Sequence, residues 1–257
     1  MNTFHSFARL FLVGAFSLLL NAAAFAASPA EQAEARGDVF DTQLKTKEAL
    51  AAYLEAEKLG MKDAEIYRKI AREYALAIVD TESKAEQRAL GLKAVEYARK
   101  AVATNPRDAQ AHLALAICYG RVAPLLDNKT KIANSKLVKE HVERSIALDP
   151  TDDYAYHVLG AWHYELASLN PVLRAVAQLI YGTIPSASYD TAVKNFKKAI
   201  ELAPQRVAHH VELGRTYAAL GQDDLARASI NMGLALPSRE KDDADTKARG
   251  GAALAKL

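Results

Sequence analysis

Cysteine is almost absent from this chain, and proline and glycine are scarce. The 257 residues include one cysteine, Cys118, so no disulfide bond can form within the chain and a packed core must hold the fold. There are 12 glycines and 8 prolines, and no segment alternates polar and apolar residues with a period of two. These absences exclude a disulfide-stabilised scaffold and disfavour strands. Half of the residues are apolar, with alanine and leucine dominating, which predicts an all-α globular protein.

An excess of charge of either sign is also missing. Lys and Arg number 33 against 31 Asp and Glu, a formal net charge of +2. The sequence therefore has no general electrostatic attraction to nucleic acid or to anionic lipid. We expect no nucleic-acid partner.

Motifs of known chemistry are missing as well. The sequence has no phosphate-binding loop, no nucleophile elbow and no zinc-ligand spacing. Its histidines are poorly spaced for one ion: His157 and His163 are six residues apart, and the adjacent His209 and His210 point about 100° apart on a helix. Cys118 lies in an apolar helical stretch and is expected to be a buried small hydrophobe rather than a nucleophile. We expect no catalytic residue, no cofactor and no metal.

The first 26 residues have the pattern of a secretory signal peptide. One arginine and no acid precede an apolar run over residues 10–20, and Ala24-Phe25-Ala26 supplies small residues before a cleavage point. We expect cleavage after Ala26 and export to the periplasm or the medium. An uncleaved membrane anchor is the alternative, although the run is shorter than the roughly 20 residues of a transmembrane helix. No later stretch is apolar enough to span a bilayer.

Glycine or alanine recurs three residues before an aromatic residue or a histidine at five places. These small residues are Gly37, Ala71, Ala116, Gly160 and Gly214. Each is followed by a second series of small and bulky residues, as in Ala192, Phe196, Ala199 and Pro204. That order is typical of the tetratricopeptide repeat, a 34-residue pair of antiparallel helices. The sequence predicts an α-solenoid of about five such pairs over residues 38–257, preceded by a lead-in, residues 27–37, whose end overlaps the first repeat.

The spacing of the five small residues locates extra residues inside the repeats. Successive distances are 34, 45, 44 and 54 residues, so repeats two, three and four carry 11, 10 and 20 residues beyond the unit. From the proline that ends one repeat to the small residue of the next, the count is ten each time, starting from Pro106, Pro150 and Pro204. The inserts therefore lie between the two helices of a pair, and the joints between pairs are intact. We expect the first two inserts to lengthen the helix pair.

The third insert and the C-terminus each predict one further helix. Residues 171–181 form a short amphipathic pattern after Asn170. We expect this helix to cover the solenoid core; contact with a membrane is the alternative, although Arg174 is its single charge. A C-terminal capping helix is predicted to cover the last repeat with Ala244, Ala248, Ala252, Leu254 and Leu257.

Several stretches of the sequence resemble one family. They are residues 129–134 (Lys-Thr-Lys-Ile-Ala-Asn), Val138-Lys139-Glu140-His141, Leu148-Asp149-Pro150, Leu159-Gly160-Ala161-Trp162, Arg174 with Ala177, and Pro185-Ser186 with Ser188-Tyr189. Together they look like the regulator of microtubule dynamics protein family, over roughly residues 40–257 and most strongly over residues 109–204. The resemblance implies an interrupted repeat solenoid that binds other proteins, associated in animals with microtubules and organelle membranes. The predicted export signal departs from the family, so we expect the fold but not the role at microtubules.

The first helix of each pair in such a solenoid lines a concave groove. Counting the groove-facing positions gives the candidate binding residues Arg68, Arg72, Arg121, Tyr154, His157, Tyr164 and Arg215. Arginine forks and aromatic faces suit an extended acidic peptide or a C-terminal carboxylate. The alternative is that the arginines solvate this face or pair with Glu65 and Glu165.

Taken together, these patterns predict an exported, non-catalytic adaptor that holds a peptide or a partner protein in its concave groove. An envelope-attached structural protein that uses residues 171–181 is the second interpretation. An enzyme with a dispersed active site is the least favoured.

Overall fold

The computed structural model describes residues 27–181 and 187–257, which form helices and turns and contain no strand. In chain order the helices are α1 Pro29–Thr42, α2 Thr46–Lys58, α3 Ala64–Ala77, α4 Lys84–Thr104, α5 Ala109–Val122, α6 Asn128–Leu148, α7 Asp153–Ala167, α8 Pro171–Tyr181, α9 Tyr189–Leu202, α10 Val207–Ala219, α11 Asp223–Ala235 and α12 Asp243–Leu254. A 3₁₀ turn, Ala123–Leu125, follows α5. The predicted signal peptide and Pro185-Ser186 lie outside the described residues.

The helices stack as pairs in one file. α1 packs on α2, α3 on α4, α5 on α6, α7 on α9 and α10 on α11, and each pair contacts the next. The predicted all-α solenoid of five helix pairs is confirmed. One apolar core runs from Ala33 to Leu166 without a break near residues 105 or 150, and a second cluster around Phe196 joins the last two pairs. The lead-in is part of α1, which begins under a Ser28–Glu31 capping box and continues past residue 37.

Small residues of a first helix face large residues of its partner helix. A Cβ atom added at Gly160 would lie 3.0 Å from the ring of Phe196, and one added at Gly214 would lie 2.5 Å from Ile230 Cγ1. Phe196 and Ile230 are fully buried. Helices approach this closely because the facing residue has no side chain. The small residues that define the repeat in the sequence therefore set the helix spacing in the fold.

Three of the four joints between pairs share one kind of hydrogen bond. A bulky side chain near the start of a first helix donates to the carbonyl oxygen of the proline six residues earlier. These bonds are His112 Nε2 to Pro106 O (3.1 Å), Tyr156 OH to Pro150 O (3.2 Å) and His210 Nε2 to Pro204 O (2.8 Å). The bond fixes each of these three joints and gives a physical reason for the constant count of ten residues.

The first two inserts lengthen the second helix of each pair and not the first. α4 and α6 have 21 residues each, whereas α3 and α5 keep 14. The inserts thus lengthen the helix pair, as expected, and the added helical length lies in the second helix. The Ser83 and Asp127 side chains cap α4 and α6 by accepting from the N–H groups of Glu86 and Thr130. Because both caps stand at the start of the second helix, the insert is added at that end.

The third insert contains α8, which packs on α6 through the fully buried Ala177. Two of its larger apolar side chains do not reach the core: Val172 is 73% exposed and Leu179 is 86% exposed. Arg174 Nη2 donates to Ala167 O at 3.3 Å, which holds the start of α8 against the end of α7. The helix thus covers part of α6 and leaves an apolar edge in solvent.

The last helix, α12, packs on α10 and α11 with a different face from the predicted one. Ala244, Ala248 and Ala252 are exposed, whereas Thr246 and Gly250 are buried. A Cβ atom at Gly250 would lie 3.2 Å from Ile230 Cγ2, so the glycine permits close contact. The predicted capping helix is present, and Leu257 packs against the cluster around Phe196 as expected. The prediction is wrong for the three alanines, because the closest contact with α10 and α11 is made at Gly250, which has no side chain.

Candidate binding groove

A cavity of about 630 Å³ lies in the concave face, where the first helices α3, α5 and α7 meet. Its lining combines the apolar side chains of Leu76, Leu113 and Ile117 with arginines and carboxylates. Cavities of roughly 300–1,000 Å³ with an apolar lining and a few converging polar groups are typical ligand sites. Both the size and the chemistry make this cavity the candidate site.

One wall of the cavity comes from the far end of the chain. Residues 236–242 connect α11 to α12. The part from 238 to 242 is called the strap below, and its residues Arg239, Glu240, Lys241 and Asp242 line the cavity. Asp243, the buried first residue of α12, accepts hydrogen bonds from the N–H groups of Arg239 (2.7 Å) and Glu240 (2.8 Å). The Asp243 carboxylate therefore fixes the bend of the strap.

The two acids of the strap pair with arginines on different repeats. Glu240 pairs with Arg206, and Asp242 accepts from Arg121 Nη2 at 2.6 Å. Burial alone would lower the pKa of Arg121, but Tyr154 and Asp242 hold it above its ordinary value. Burial raises the pKa of Glu240, and Arg206 opposes that shift. Each of these carboxylates is thus partly withdrawn from water and faces an arginine of the groove.

Lys241, the base between the two acids of the strap, reaches the opposite end of the solenoid. Lys241 Nζ pairs with Asp80, in the loop after α3, and donates to Thr46 Oγ1 in α2 at 2.6 Å. Thr46 is 195 residues away in the sequence. The strap therefore bridges the first and the last repeat across the groove.

Arg206 also belongs to a buried network behind the strap. Its Nε atom lies 2.9 Å from Asp153 Oδ2, and its guanidinium lies 5.2 Å from the centre of the Tyr154 ring. His209 Nε2 donates to the same Asp153 oxygen at 2.8 Å. Although burial raises the pKa of Asp153, His209 and Arg206 hold it below its usual range. Asp153 stays charged and fixes Arg206 for its contact with the strap.

Four of the seven candidate residues line the cavity. Arg68, Arg72, Arg121 and Tyr154 contribute to its wall. The nearest acid to Arg68 is Glu65 at 3.8 Å. Arg72 pairs with Asp41. The alternative pairing with Glu65 is therefore observed for Arg68, whereas Arg72 pairs with Asp41, an acid that the alternative did not name.

The other three candidate residues lie elsewhere. Tyr164 and Arg215 contact each other, with the guanidinium 5.3 Å from the ring centre, and Arg215 pairs with Glu212 at 2.6 Å. Neither side chain lines the cavity. His157 is 8% exposed and packs between Tyr154, Phe196 and His209. Counting positions along one helix does not show that a neighbouring repeat covers these places.

His157 forms one of two histidine pairs. His209 Nδ1 lies 3.1 Å from His157 Nδ1, and His112 Nδ1 lies 2.9 Å from His141 Nδ1. Because Nε2 of His209 donates to Asp153, its Nδ1 in the neutral ring accepts from His157. Burial first, and then the charge of the neighbouring histidine, lowers the pKa of His157 and of His141. The bond from His157 to His209 therefore requires a neutral accepting ring at His209.

A buried carboxyl stands where α3 meets the first pair. Glu73 is 1% exposed, and neither carboxyl oxygen has a hydrogen-bond partner. Its closest ion-pair contact is Arg72 Nη1 at 3.9 Å. Burial, followed by the charge of Asp41, raises the pKa of Glu73 to about 7. Glu73 is thus poised between its charged and neutral forms near neutral pH.

Sequence reasoning missed the strap, Arg206 and Asp153. In the sequence the strap is a charged stretch, and nothing in its local pattern indicates that it folds back over the groove. Arg206 and Asp153 flank the joints between repeats, just outside the positions counted as groove-facing. The available signal was the alternation of acid, base and acid at residues 240–242.

The part of the chain that the structure describes contains neither a metal-binding cluster nor a membrane-spanning helix. Within it, no group of three or more His, Cys, Asp or Glu side chains is arranged to hold a metal ion. None of its helices has the length and apolarity needed to cross a bilayer. Cys118 is 2% exposed, and burial raises its pKa to about 12, so the expectation of a buried, unreactive thiol is confirmed.

Known proteins resemble this chain in sequence and in fold. The regulator of microtubule dynamics protein 1 of Bos taurus is 31% identical over 83% of this chain and 66% of its own length. The protein of the same name from Homo sapiens is 32% identical over 63% of this chain and 52% of its own length. The chain thus spans about half to two thirds of these curated relatives. A thermophilic TPR protein from Thermus thermophilus has the same fold, with a TM-score of 0.63, 17% identity and coverage of 88% of this chain and 99% of that one.

The match to the family extends over nearly the whole solenoid. The sequence model described as regulator of microtubule dynamics protein 1-3 matches residues 34–257. That range begins inside α1 and includes the inserts, the strap and α12. The predicted resemblance is confirmed, and the chain belongs to the regulator of microtubule dynamics protein 1-3 family.

Proposed function

We propose that this chain is a non-catalytic adaptor that holds an acidic segment of a partner protein in its concave groove. The carrying observation is that the groove already accepts carboxylates of an irregular segment: Asp242 sits on Arg121 and Glu240 on Arg206. An arginine fork binds a carboxylate through two parallel hydrogen bonds, so the same wall suits the acids of another chain.

Two further arginines extend this surface. Arg68 and Arg72 line the cavity on the α3 side, and Arg72 is half exposed. Apolar side chains between the arginines, such as Leu113 and Ile117, would contact the aliphatic parts of a bound segment. The fold supports the same interpretation, because stacked helix pairs create an extended concave surface for binding.

Substitution of the open arginines tests the proposal. The mature chain is used to capture proteins from an envelope extract, in parallel with the Arg68→Ala/Arg72→Ala variant and the Arg144→Ala variant. Arg144 is exposed on α6 and does not line the cavity, so it controls for loss of one surface charge. We expect the double variant to lose the captured partner and the control to keep it. Equal capture by all three chains would refute the groove as the binding surface.

Export is part of the same proposal. Residues 1–26 carry the signal-peptide pattern, and an exported adaptor meets its partners outside the cytoplasm. The chain produced with its own N-terminus is recovered from the periplasmic fraction or the medium and its intact mass is measured. We expect the mass of a chain that begins at Ala27. A chain that keeps residues 1–26 and sediments with membranes would indicate the anchor instead.

One observation favours a second function, attachment to a membrane surface through α8. Val172 and Leu179 expose most of their apolar surface on this helix. Flotation with vesicles after a high-salt wash, compared between the native chain and Val172→Ser/Leu179→Ser, tests it. Met232→Ser, at a 56% exposed site on α11, is the matched control. Attachment requires flotation that the α8 variant loses and the control keeps.

A further inference from the structure

The strap makes contacts that a connection between two neighbouring helices does not need. α11 and α12 pack on each other and on α10, at one end of the solenoid. The side chains of the strap nevertheless pair with groups 121 and 161 residues away, Arg121 and Asp80. The repeats themselves contact mainly their neighbours. The strap therefore has a relation to the groove that is separate from joining two helices.

The order of charges on the strap matches the order of charges on the groove. Acid, base and acid at residues 240–242 meet, in turn, a base, an acid with a hydroxyl, and a base. Reversing any one of the three would place like charges in contact. The groove thus selects a pattern of three charges and not merely net negative charge.

The pairs that hold the strap are of the kind that another chain can replace. The Arg121 and Asp242 side chains are 25% and 26% exposed, and those of Arg206 and Glu240 are 30% and 36% exposed. Ion pairs with this access to water contribute little individually. Residues 238 and 239, at the start of the strap, are exposed. Lys241, whose side chain is 15% exposed, is the least accessible member of the triplet. The covalent tether gives the strap an effective concentration on the order of millimolar, which adds to these contacts.

We infer that the strap is an internal copy of the ligand: the partner segment carries an acid–base–acid triplet in a turn like that of residues 240–242 and takes its place. This inference rests on the proposed function and specifies the chemistry of its partner. The partner's two acids contact Arg206 and Arg121, and its central base contacts Asp80 and Thr46. The tethered strap competes with the partner and lowers its apparent affinity.

A peptide with the sequence of residues 236–243, added in trans, tests the inference. Its binding is measured by fluorescence anisotropy to the native mature chain and to the Glu240→Ala/Lys241→Ala/Asp242→Ala variant, which retains Asp243 and hence the start of α12. We expect the peptide to bind the variant at least about tenfold more tightly than the native chain, because the competing strap is gone. Adding Arg121→Ala to the variant should weaken binding of the peptide by roughly tenfold or more.

A reordered peptide is the matched control. It has the same composition and net charge, with the triplet rearranged so that the base comes first. We expect it to bind the emptied groove at least about tenfold more weakly than the native order, since two of the three pairings would bring like charges together. Equal binding of the two peptides, or no binding of either to the emptied groove, overturns the inference.

A single substitution covers the case in which the triple variant fails to fold. Asp242→Asn keeps the shape of the strap and removes one charge, and it should raise the affinity for the peptide in the same direction. No change in affinity for this folded variant also overturns the inference. The proposed function is judged separately. If partner capture depends on Arg68 and Arg72 but the peptide does not bind, the groove remains the binding site and only the inference of a charge triplet is refuted.

Discussion

The interior of the helix pairs and the concave groove are held together by different contacts. In the interior, Gly160 meets Phe196 and Gly214 meets Ile230, within one repeat and without polar groups. In the groove, Asp242 meets Arg121 across 121 residues, and both side chains retain access to water. Interior contacts bury apolar area and therefore carry stability, whereas the groove contacts are ion pairs between partly exposed side chains, which contribute less. We therefore expect substitutions in the groove to leave the fold intact.

The largest loss of stability is expected when a large side chain of the interior is removed. Phe196→Ala removes a fully buried ring that faces Gly160, and it should lower the free energy of unfolding by about 3–5 kcal/mol. Urea unfolding followed by circular dichroism measures the change. Phe196→Leu, which refills most of the space, should cost less than half as much. A loss below about 1 kcal/mol for the alanine variant would show that the interior does not dominate stability.

A buried charge at the edge of the interior should have the next largest effect. The folded-state pKa of Glu73 is raised from 4.5 to about 7, so the contribution of Glu73 is fully present below pH 4.5 and is lost as the pH rises through 7. Above that pH the charged form costs roughly 3 kcal/mol.

We therefore expect Glu73→Gln to be more stable than the native chain at pH 8 by about that amount and equally stable at pH 4.5. Unfolding midpoints at the two pH values measure the difference. Glu65→Gln, at an exposed carboxyl on the same helix, should change neither value. A variant that is less stable than the native chain at pH 8 would contradict the assignment.

The histidine pairs should produce the opposite pH dependence. Because burial lowers the pKa of His157, His209 and His141 in the folded chain, their contribution is present above about pH 6.5 and is lost as the pH falls. Each protonation has a slope of about 1.4 kcal/mol per pH unit. Unfolding between pH 7 and pH 5 in the Glu73→Gln background isolates this slope.

His157→Gln should flatten that profile, and His210→Gln, which removes a bond to Pro204 only, should not. This outcome would place His157 with the interior rather than with the groove, where the sequence had put it. If the stability of the Glu73→Gln chain does not change between pH 7 and pH 5, the lowered histidine pKa values are contradicted.

Gly214 and Gly120 both lie within helices, but only Gly214 is in close contact with a neighbouring helix. A Cβ atom at Gly214 meets Ile230 Cγ1 at 2.5 Å and the backbone oxygen of Ala226 at 2.9 Å, whereas one at Gly120 meets nothing within 4 Å. Gly214→Ala should cost about 1–3 kcal/mol, and Gly120→Ala should stabilise by about 0.5–1 kcal/mol. Thermal unfolding of both variants measures the difference. Equal effects would mean that the helix pairs are not closely packed.

The smallest effect on stability is expected in the groove. The nearest acid to Arg68, Glu65, is 3.8 Å away and largely exposed, so Arg68→Ala should change the free energy of unfolding by less than about 0.5 kcal/mol. Chemical unfolding of the variant and of Arg144→Ala should coincide. A larger loss would show that Arg68 supports the fold, and the contrast between interior and groove would then fail at this position.

Much of the fold could be predicted from the sequence because its determinants are local. Ala192, Phe196 and Ala199, which are four and three residues apart, form one buried face of α9. The constant ten residues that follow Pro106, Pro150 and Pro204 correspond to joints that are each closed by one hydrogen bond. The candidate site was less readable. Arg68, Arg72, Arg121 and Tyr154 line the cavity, while Tyr164 and Arg215 pair with each other and His157 is buried against the next repeat.

By itself, the sequence determined the helix pairs, the places of the inserts and the small residues at which helices meet, because spacing along a helix decides which side chains share a face. Only the tertiary structure decided that residues 238–242 cross the groove, that His157 meets His209, and that α12 packs through Gly250. Those contacts join residues brought together by the curvature of the stacked pairs. That curvature is the sum of small rotations at every joint, and no single stretch of sequence encodes it.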